Sequence, residues 1–280
     1  MDKRLVFGNY HYNRSSLQGF LSCMHAGGIR KTELCPYASW LDITDRENVR
    51  CFRRLLDEAG IEAAILVPEQ GGVVPFNPAM ELPDVENWSL DYGVKMIRNM
   101  DTLGCRKLMV GAGRQSLDCP EAEGWNRSLH SLRIFAGVAA EERVELLLCS
   151  DGRRTFSNIV ATTDEQMRMI CQIGLSNVKA YVDLSACAAA GEDFRDAVST
   201  LQQENLLGHV CISDGPDGWL LPGDGSIGVA GIRNAWSALA SAGYTGDVTC
   251  RLQHWRYDFE PDKYTVNLKE FCESILPDII

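Results

Sequence analysis

The sequence predicts a single (β/α)8 barrel, and three observations predict it. The 280-residue chain alternates short apolar runs with segments of helical period, eight times over, which favours a parallel sheet closed on itself. No linker and no longer repeat divides it, so one domain is expected over 1–280, a size close to the ~250 residues usual for such a barrel. The third observation is the stretch 208–251, GHVCISDGPDGWLLPGDGSIGVAGIRNAWSALASAGYTGDVTCR. It reads as strand, Gly/Pro-rich loop, helix (Ile232, Trp236, Leu239 and Ala240 at helical spacing) and strand, the crossover that a parallel pair requires.

Taken in order, Leu5 to Gly8 reads as the first strand, with Asn9-Tyr10-His11-Tyr12 at its end. A helix over 15–26 carries Leu17, Phe20, Leu21 and Met24 on one face, and Gly27-Gly28 stops it. Strand two is 31–35. The next helix starts at an expected capping box, Thr44 with Glu47, and Gly60 ends its stripe of Val49, Phe52, Leu55, Leu56 and Ala59. Strand three is 62–67. The segment 68–86 has no periodicity and reads as a long loop, a candidate lid.

Helix 90–103, strand 107–110, helix 121–142 and strand 144–149 follow. Thr163 with Gln166 is expected to cap a helix running to Gly174, and 178–184 is strand six. Helix 194–204 precedes the strand over 209–213; helix 262–276 follows the strand over 248–252 and closes the chain. Strand ends in this architecture present the reactive groups. Here those ends carry Cys149, Asp183, Cys211 or Asp214, and Arg251.

Composition narrows the function. A net charge of −11 argues against nucleic acid, whose binding needs clustered Lys and Arg to displace counterions. No run approaches the ~20 apolar residues of a spanning helix, and the N-terminus lacks a signal-peptide core. The 11 cysteines are scattered without CxxC pairs, which suggests reduced thiols and a cytoplasmic location.

The same residues resemble a known family, the xylose-isomerase-like sugar isomerases and epimerases. The matches are His209, Asp214, Pro222-Gly223-Asp224-Gly225, Gly243-Tyr244-Thr245-Gly246, and the run Leu146-Leu147-Leu148-Cys149 with Asn158-Ile159-Val160 and Thr163-Asp164; Glu33 matches an Ile-Glu-Leu strand. The resemblance implies a TIM barrel that holds a divalent metal at its C-terminal face and acts on a sugar. It also implies what is missing. Cys149 and Arg251 stand where two Glu ligands that move protons are expected, Cys211 where a metal-binding His is expected, and Ala186 where a further polar residue is expected. Of the expected ligands, only Asp183 matches.

Two readings of that set stay open. Cys149, Asp183 and Cys211 could bind Zn or Mn, thiolate and carboxylate both being zinc ligands. The expectation favoured here is no cofactor: Arg251 would repel a cation and instead pair with Asp183, filling electrostatically the space of a metal. Arg251 could then hold a substrate carboxylate or phosphate while Cys149 or His209 exchanges protons; Cys149, Asp183 and Arg251 are the catalytic candidates. Under that reading an Arg251→Ala variant loses turnover with little change in stability.

The substrate-binding candidates are His11, Glu33, Trp40, His209, Cys211 and Asp214. Several have a plainer reading: His11 as a hydrogen-bonded structural residue, Glu33 as partner of a buried base, the tryptophans Trp40 and Trp219 as packing under the loops, and the cysteines as small core residues; His209 could point inward below the pocket. His25, His130 and His254 receive no role. The expected partner is a carbohydrate-like small molecule, with neither nucleic acid nor membrane, in a chain that is an enzyme or a pseudoenzyme. A homo-oligomer or an active paralogue would be its protein partner.

Overall fold

The computed structural model describes residues 4–37, 39–70, 76–153, 155 and 157–275. Among these, eight parallel strands hydrogen-bond in sequence order and the last pairs with the first, closing a barrel. They are β1 (Leu5–Gly8), β2 (Lys31–Leu34), β3 (Glu62–Leu66), β4 (Lys107–Gly111), β5 (Glu145–Cys149), β6 (Val178–Asp183), β7 (Leu207–Cys211) and β8 (Val248–Cys250). The helices between and after them are α1 (Leu17–Ala26), α2 (Arg46–Ala59), α3 (Pro83–Leu103), α4 (Glu121–Glu141), α5 (Thr163–Ile173), α6 (Leu184–Ala190), α7 (Phe194–Gln203), α8 (Gly228–Ser241), α9 (His254–Tyr257) and α10 (Pro261–Ile275). Among the described residues, no helix is long and apolar enough to cross a membrane.

Alternation along each strand separates two apolar layers. Leu66, Leu108, Val110, Leu146, Leu148, Ala180, Val182, Val210 and Val248 join the large core under the helices. Ile65, Val67, Met109, Leu147, Tyr181 and Cys211 form a separate small cluster. Their alternation with the first set places them inside the barrel, below its C-terminal mouth.

Several local readings differ from expectation, among them the short helices α6 and α9, which were not expected. Asp45, not Thr44, caps α2, accepting from the Glu47 and Asn48 amides, while the Thr44 hydroxyl donates to Asp42. Thr162 and Glu165 form the capping box of α5, one residue earlier than the Thr163/Gln166 pair. Gln166 is instead buried and donates to the carbonyls of Leu148 and Tyr181 at 2.6 and 3.0 Å, tying α5 to β5 and β6. The loop expected over 68–86 ends early, because Pro83 opens α3, where a proline's missing N–H costs nothing. Residues 71–75 of that segment, and with them the centre of the expected lid, lie outside the described residues.

The loop between β7 and α8 is held by one side chain. Asp214 is fully buried and accepts from four backbone amides, Gly215 and Gly228 on Oδ1 and Gly223 and Gly225 on Oδ2, at 2.8 to 3.1 Å. Asp214→Ala leaves those amides without their acceptor. Because an unsatisfied buried donor costs about 1–3 kcal/mol, urea unfolding is expected to show a loss of about 2–3 kcal/mol. A change within about 0.5 kcal/mol would mean that the loop keeps its shape unaided.

Candidate functional site

Arg251 follows β8 directly, and its side chain is 1% exposed. Nη1 donates to Glu33 Oε1 at 2.9 Å and Nη2 to Asp183 Oδ2 at 2.7 Å, so one guanidinium joins β2, β6 and β8 across the barrel. Both carboxylates have further donors. The Tyr181 hydroxyl donates to Glu33 Oε2 at 2.5 Å, and Trp219 Nε1 to Asp183 Oδ2 at 2.6 Å. Asp183 Oδ1 accepts from the Ser185 and Ala186 amides and so caps α6. The Trp219 ring covers the guanidinium, with its centroid 3.9 Å from Cζ, a cation–π contact in a desolvated setting. Gly8 on β1 makes the room: a Cβ there would lie 2.6 Å from Arg251 Cβ.

This network lies below a cavity of about 450 Å³ at the mouth of the barrel. Its rings are Tyr10, Tyr37, Trp219 and Trp255, and its polar lining includes Glu69, Gln70, Asp151, Arg153 and His254. Two charged loop residues are already committed. Asp151 accepts from the amides of Arg153, Thr155 and Ser157 and pairs with the Arg153 side chain at 3.5 Å. Arg153 Nη1 donates to Ser185 Oγ at 2.7 Å.

Cys149, Asp183 and Arg251, the catalytic candidates, all line the cavity. Their electrostatics differ sharply. Burial pushes the Cys149 thiol well up, and Asp183 beside it pushes the same way. For Asp183, burial by itself raises the carboxyl, but the Arg251 and Arg153 charges and the Arg251 and Trp219 hydrogen bonds outweigh it and hold it below the usual range.

The six substrate-binding candidates lie elsewhere. Glu33 is under the cavity, sequestered by Arg251 and Tyr181. His209 lies inside the barrel against Thr249 Oγ1 at 2.8 Å, held neutral by burial, and Cys211 belongs to the interior apolar cluster. Asp214 shapes its own loop. His11 sits in a 3-10 turn (Tyr10–Tyr12), its ring bonded to Thr265 at 2.8 Å and its pKa lowered to about 3 by burial. Trp40 donates to the Ser15 carbonyl and stacks on Phe20, behind the cavity wall. None of the six is part of the cavity lining. Conversely His254, given no role from sequence, lines the cavity, as do Tyr10, Glu69 and Arg153. Tyr10 was one residue from the chosen His11; Glu69 and His254 carried no periodic signal, being in a loop and a single-turn helix.

Among the described residues, no group of three His, Cys, Asp or Glu is placed to hold a metal ion. Cys149, Asp183 and Cys211 in particular do not form one. The Asp183 oxygen that would face such an ion receives Arg251 Nη2 and Trp219 Nε1.

Truncating Arg251 strands two buried carboxylates. Arg251→Ala is therefore expected to lower stability by about 3–5 kcal/mol, contrary to the small change expected from sequence, and urea unfolding reads it. Acid acts through Asp183. Its folded pKa lies below the ordinary aspartate value, so its contribution is complete above about pH 4 and is lost as pH falls through the folded value. Acid unfolding of Asp183→Asn should accordingly show a shallower loss below pH ~4 than the parent; an equally steep loss would assign acid sensitivity to other groups.

Comparison with known proteins follows this geometry. The family model described as "Xylose isomerase-like TIM barrel" matches residues 26–273. A search of curated proteins finds no match. Among solved structures, D-psicose 3-epimerase with D-tagatose from Clostridium cellulolyticum H10 is 18% identical with a TM-score of 0.78, covering 98% of this chain and 99% of that one. A xylose isomerase domain protein from Alicyclobacillus acidocaldarius subsp. acidocaldarius is 21% identical with a TM-score of 0.77, covering 98% of both chains. A 3-keto-D-glucoside 4-epimerase from E. coli is 16% identical with a TM-score of 0.77, covering 96% of this chain and 99% of that one. At such identities the likeness is one of fold.

Proposed function

This chain belongs to the xylose isomerase-like TIM-barrel family, and we propose that it binds a neutral carbohydrate or related hydroxylated small molecule at the C-terminal mouth of the barrel, without a resident divalent metal. The observation that carries the proposal is Arg251 in its place between Glu33 and Asp183. A divalent cation needs anionic or neutral donors with free lone pairs. A fixed guanidinium supplies none and repels the ion, so the donor set does not fit the metal that the family resemblance implies. Any chemistry here is therefore left to the chain's own side chains.

The cavity suits such a ligand in size and lining. About 450 Å³ lies within the ~300–1,000 Å³ typical of small-molecule sites. Tyr10, Tyr37 and Trp255 offer flat apolar faces to the C–H side of a sugar ring, and Gln70, Arg153 and His254 offer polar groups to its hydroxyls. Both arginines of the lining are already engaged by carboxylates, which supports a neutral ligand over a phosphorylated one.

A second reading is supported by a separate observation. The two positions that the resemblance gives to proton-moving carboxylates hold a thiol kept protonated and a permanent cation. The inherited isomerase mechanism is not available to them, which is what a pseudoenzyme serving as binding or regulatory partner of an active paralogue would look like.

Thermal unfolding with neutral ketohexoses, polyols and sugar phosphates, each with and without chelator, separates these readings. A neutral sugar at ~100 times its Kd should raise the Tm by about 5 °C or more, equally in chelator. A shift that appears only on adding Mn or Zn would contradict metal independence. Stabilisation by a paralogous barrel and by no sugar would favour the second reading.

A further inference from the structure

Most ionisable groups of the cavity are spoken for. Asp183 is held by Arg251 and Trp219, and Asp151 by its own loop and Arg153. Burial pushes the thiols of Cys35 and Cys149 and the phenols of Tyr10 and Tyr37 upward, so none of these gives up a proton near neutrality. Glu69 is different. It follows β3 by a short step, and the next residue, Gln70, is clipped to the end of β4, its Oε1 accepting from the Gly111 amide at 2.6 Å and its Nε2 donating to the Gly111 carbonyl. Glu69 lines the cavity, half-buried, and among the described residues its carboxyl has neither a cation nor a hydrogen-bond donor as partner.

We propose that Glu69 is the proton-transfer residue of this cavity, acting on a carbon next to the carbonyl of a ketose-like ligand. The proposal rests on the carbohydrate reading above and goes beyond it by assigning chemistry. In the step, the Glu69 carboxylate takes the proton of that carbon. The C–H electron pair becomes a C=C bond and the carbonyl π pair moves to oxygen, giving an enediolate. Returning a proton from Glu69 to the carbon, after exchange with solvent, regenerates the carbonyl. No electrons enter or leave, so no oxidant or reductant is needed. The negative charge that builds on oxygen develops in the field of Arg251 and Arg153, the cations of the lining.

The lining supports the role: Cys35 and Tyr37, from the segment after β2, share the cavity with Glu69 and stay uncharged. Burial without a cation raises the Glu69 carboxyl above the ordinary glutamate value. That direction moves it toward the neutral range in which a carboxyl both accepts and returns protons efficiently. The role has passed from the ends of β5 and β8, as the resemblance gives them, to the end of β3.

The test uses D-fructose as the probe ketose, in deuterated buffer with chelator, following loss of its C–H signals by NMR. The parent protein should catalyse deuterium entry, and Glu69→Gln should slow it by about 100-fold or more while keeping the sugar-induced Tm shift. A Tm shift in the parent without exchange, or exchange undiminished in Glu69→Gln, overturns the proposal and leaves the binding reading standing. If no Tm shift occurs with fructose, that reading fails for this sugar, and esterification by a diazo reagent at pH 6.5, read by peptide mass mapping, decides the residue. Esterification of Glu69 but not of Asp151 or Asp183 supports an exchangeable carboxyl there; an unmodified Glu69 overturns it.

Discussion

Arg251 is the residue on which the interior of this barrel depends. A cation 1% exposed is tolerable only because two carboxylates meet it with directed hydrogen bonds, and those carboxylates are tolerable only because Tyr181 and Trp219 satisfy what Arg251 leaves over. The requirement spreads outward. Gly8 must lack a side chain, Trp219 must come down from the loop after β7 to roof the guanidinium, and Asp183 both ends β6 and starts α6. One buried charge thus fixes the relative placement of four strands.

The same charge shapes what the cavity above it can do. Its floor is cationic and fixed, its walls are aromatic, and Asp151 is tied into its own loop, which leaves Glu69 as the unpartnered carboxyl among the described residues of the lining. A ligand entering it meets a polarising field without exchangeable coordination positions. Specificity then rests on ring stacking and on the few uncommitted polar groups at the rim, Gln70 being partly spent on the β4 edge.

The fold was legible because it is written in periodicity and length. Eight apolar runs alternate with helical stripes, and every strand lies within a few residues of its expected place; the errors fall at helix starts, where Asp45 and Thr162 cap in preference to their neighbours, and at the short helices α6 and α9, which were not expected. Strand-end parity is equally legible. Cys149, Asp183, Cys211 and Arg251 share an inward phase, and pairing of Arg251 with Asp183 follows from charge alone. Depth along the strand is not legible. Cys211 and His209 share that phase, yet Cys211 joins the interior apolar cluster and His209 bonds to Thr249, and Glu33 was equally open to a site role and to the buried pairing it adopts. Loop contributions escape altogether, since Glu69, Arg153 and His254 reach the cavity through tertiary placement that no local pattern encodes.

We propose that Arg251 holds the position which the family resemblance gives to a metal. Elemental analysis of protein expressed with added Mn and Zn, and never exposed to chelator, tests it most directly. Metal far below one ion per chain, unchanged in Cys211→Ala, is the expected result. Near-stoichiometric metal that is lost in Cys211→Ala would contradict it and would mean that the barrel holds a rebuilt metal centre.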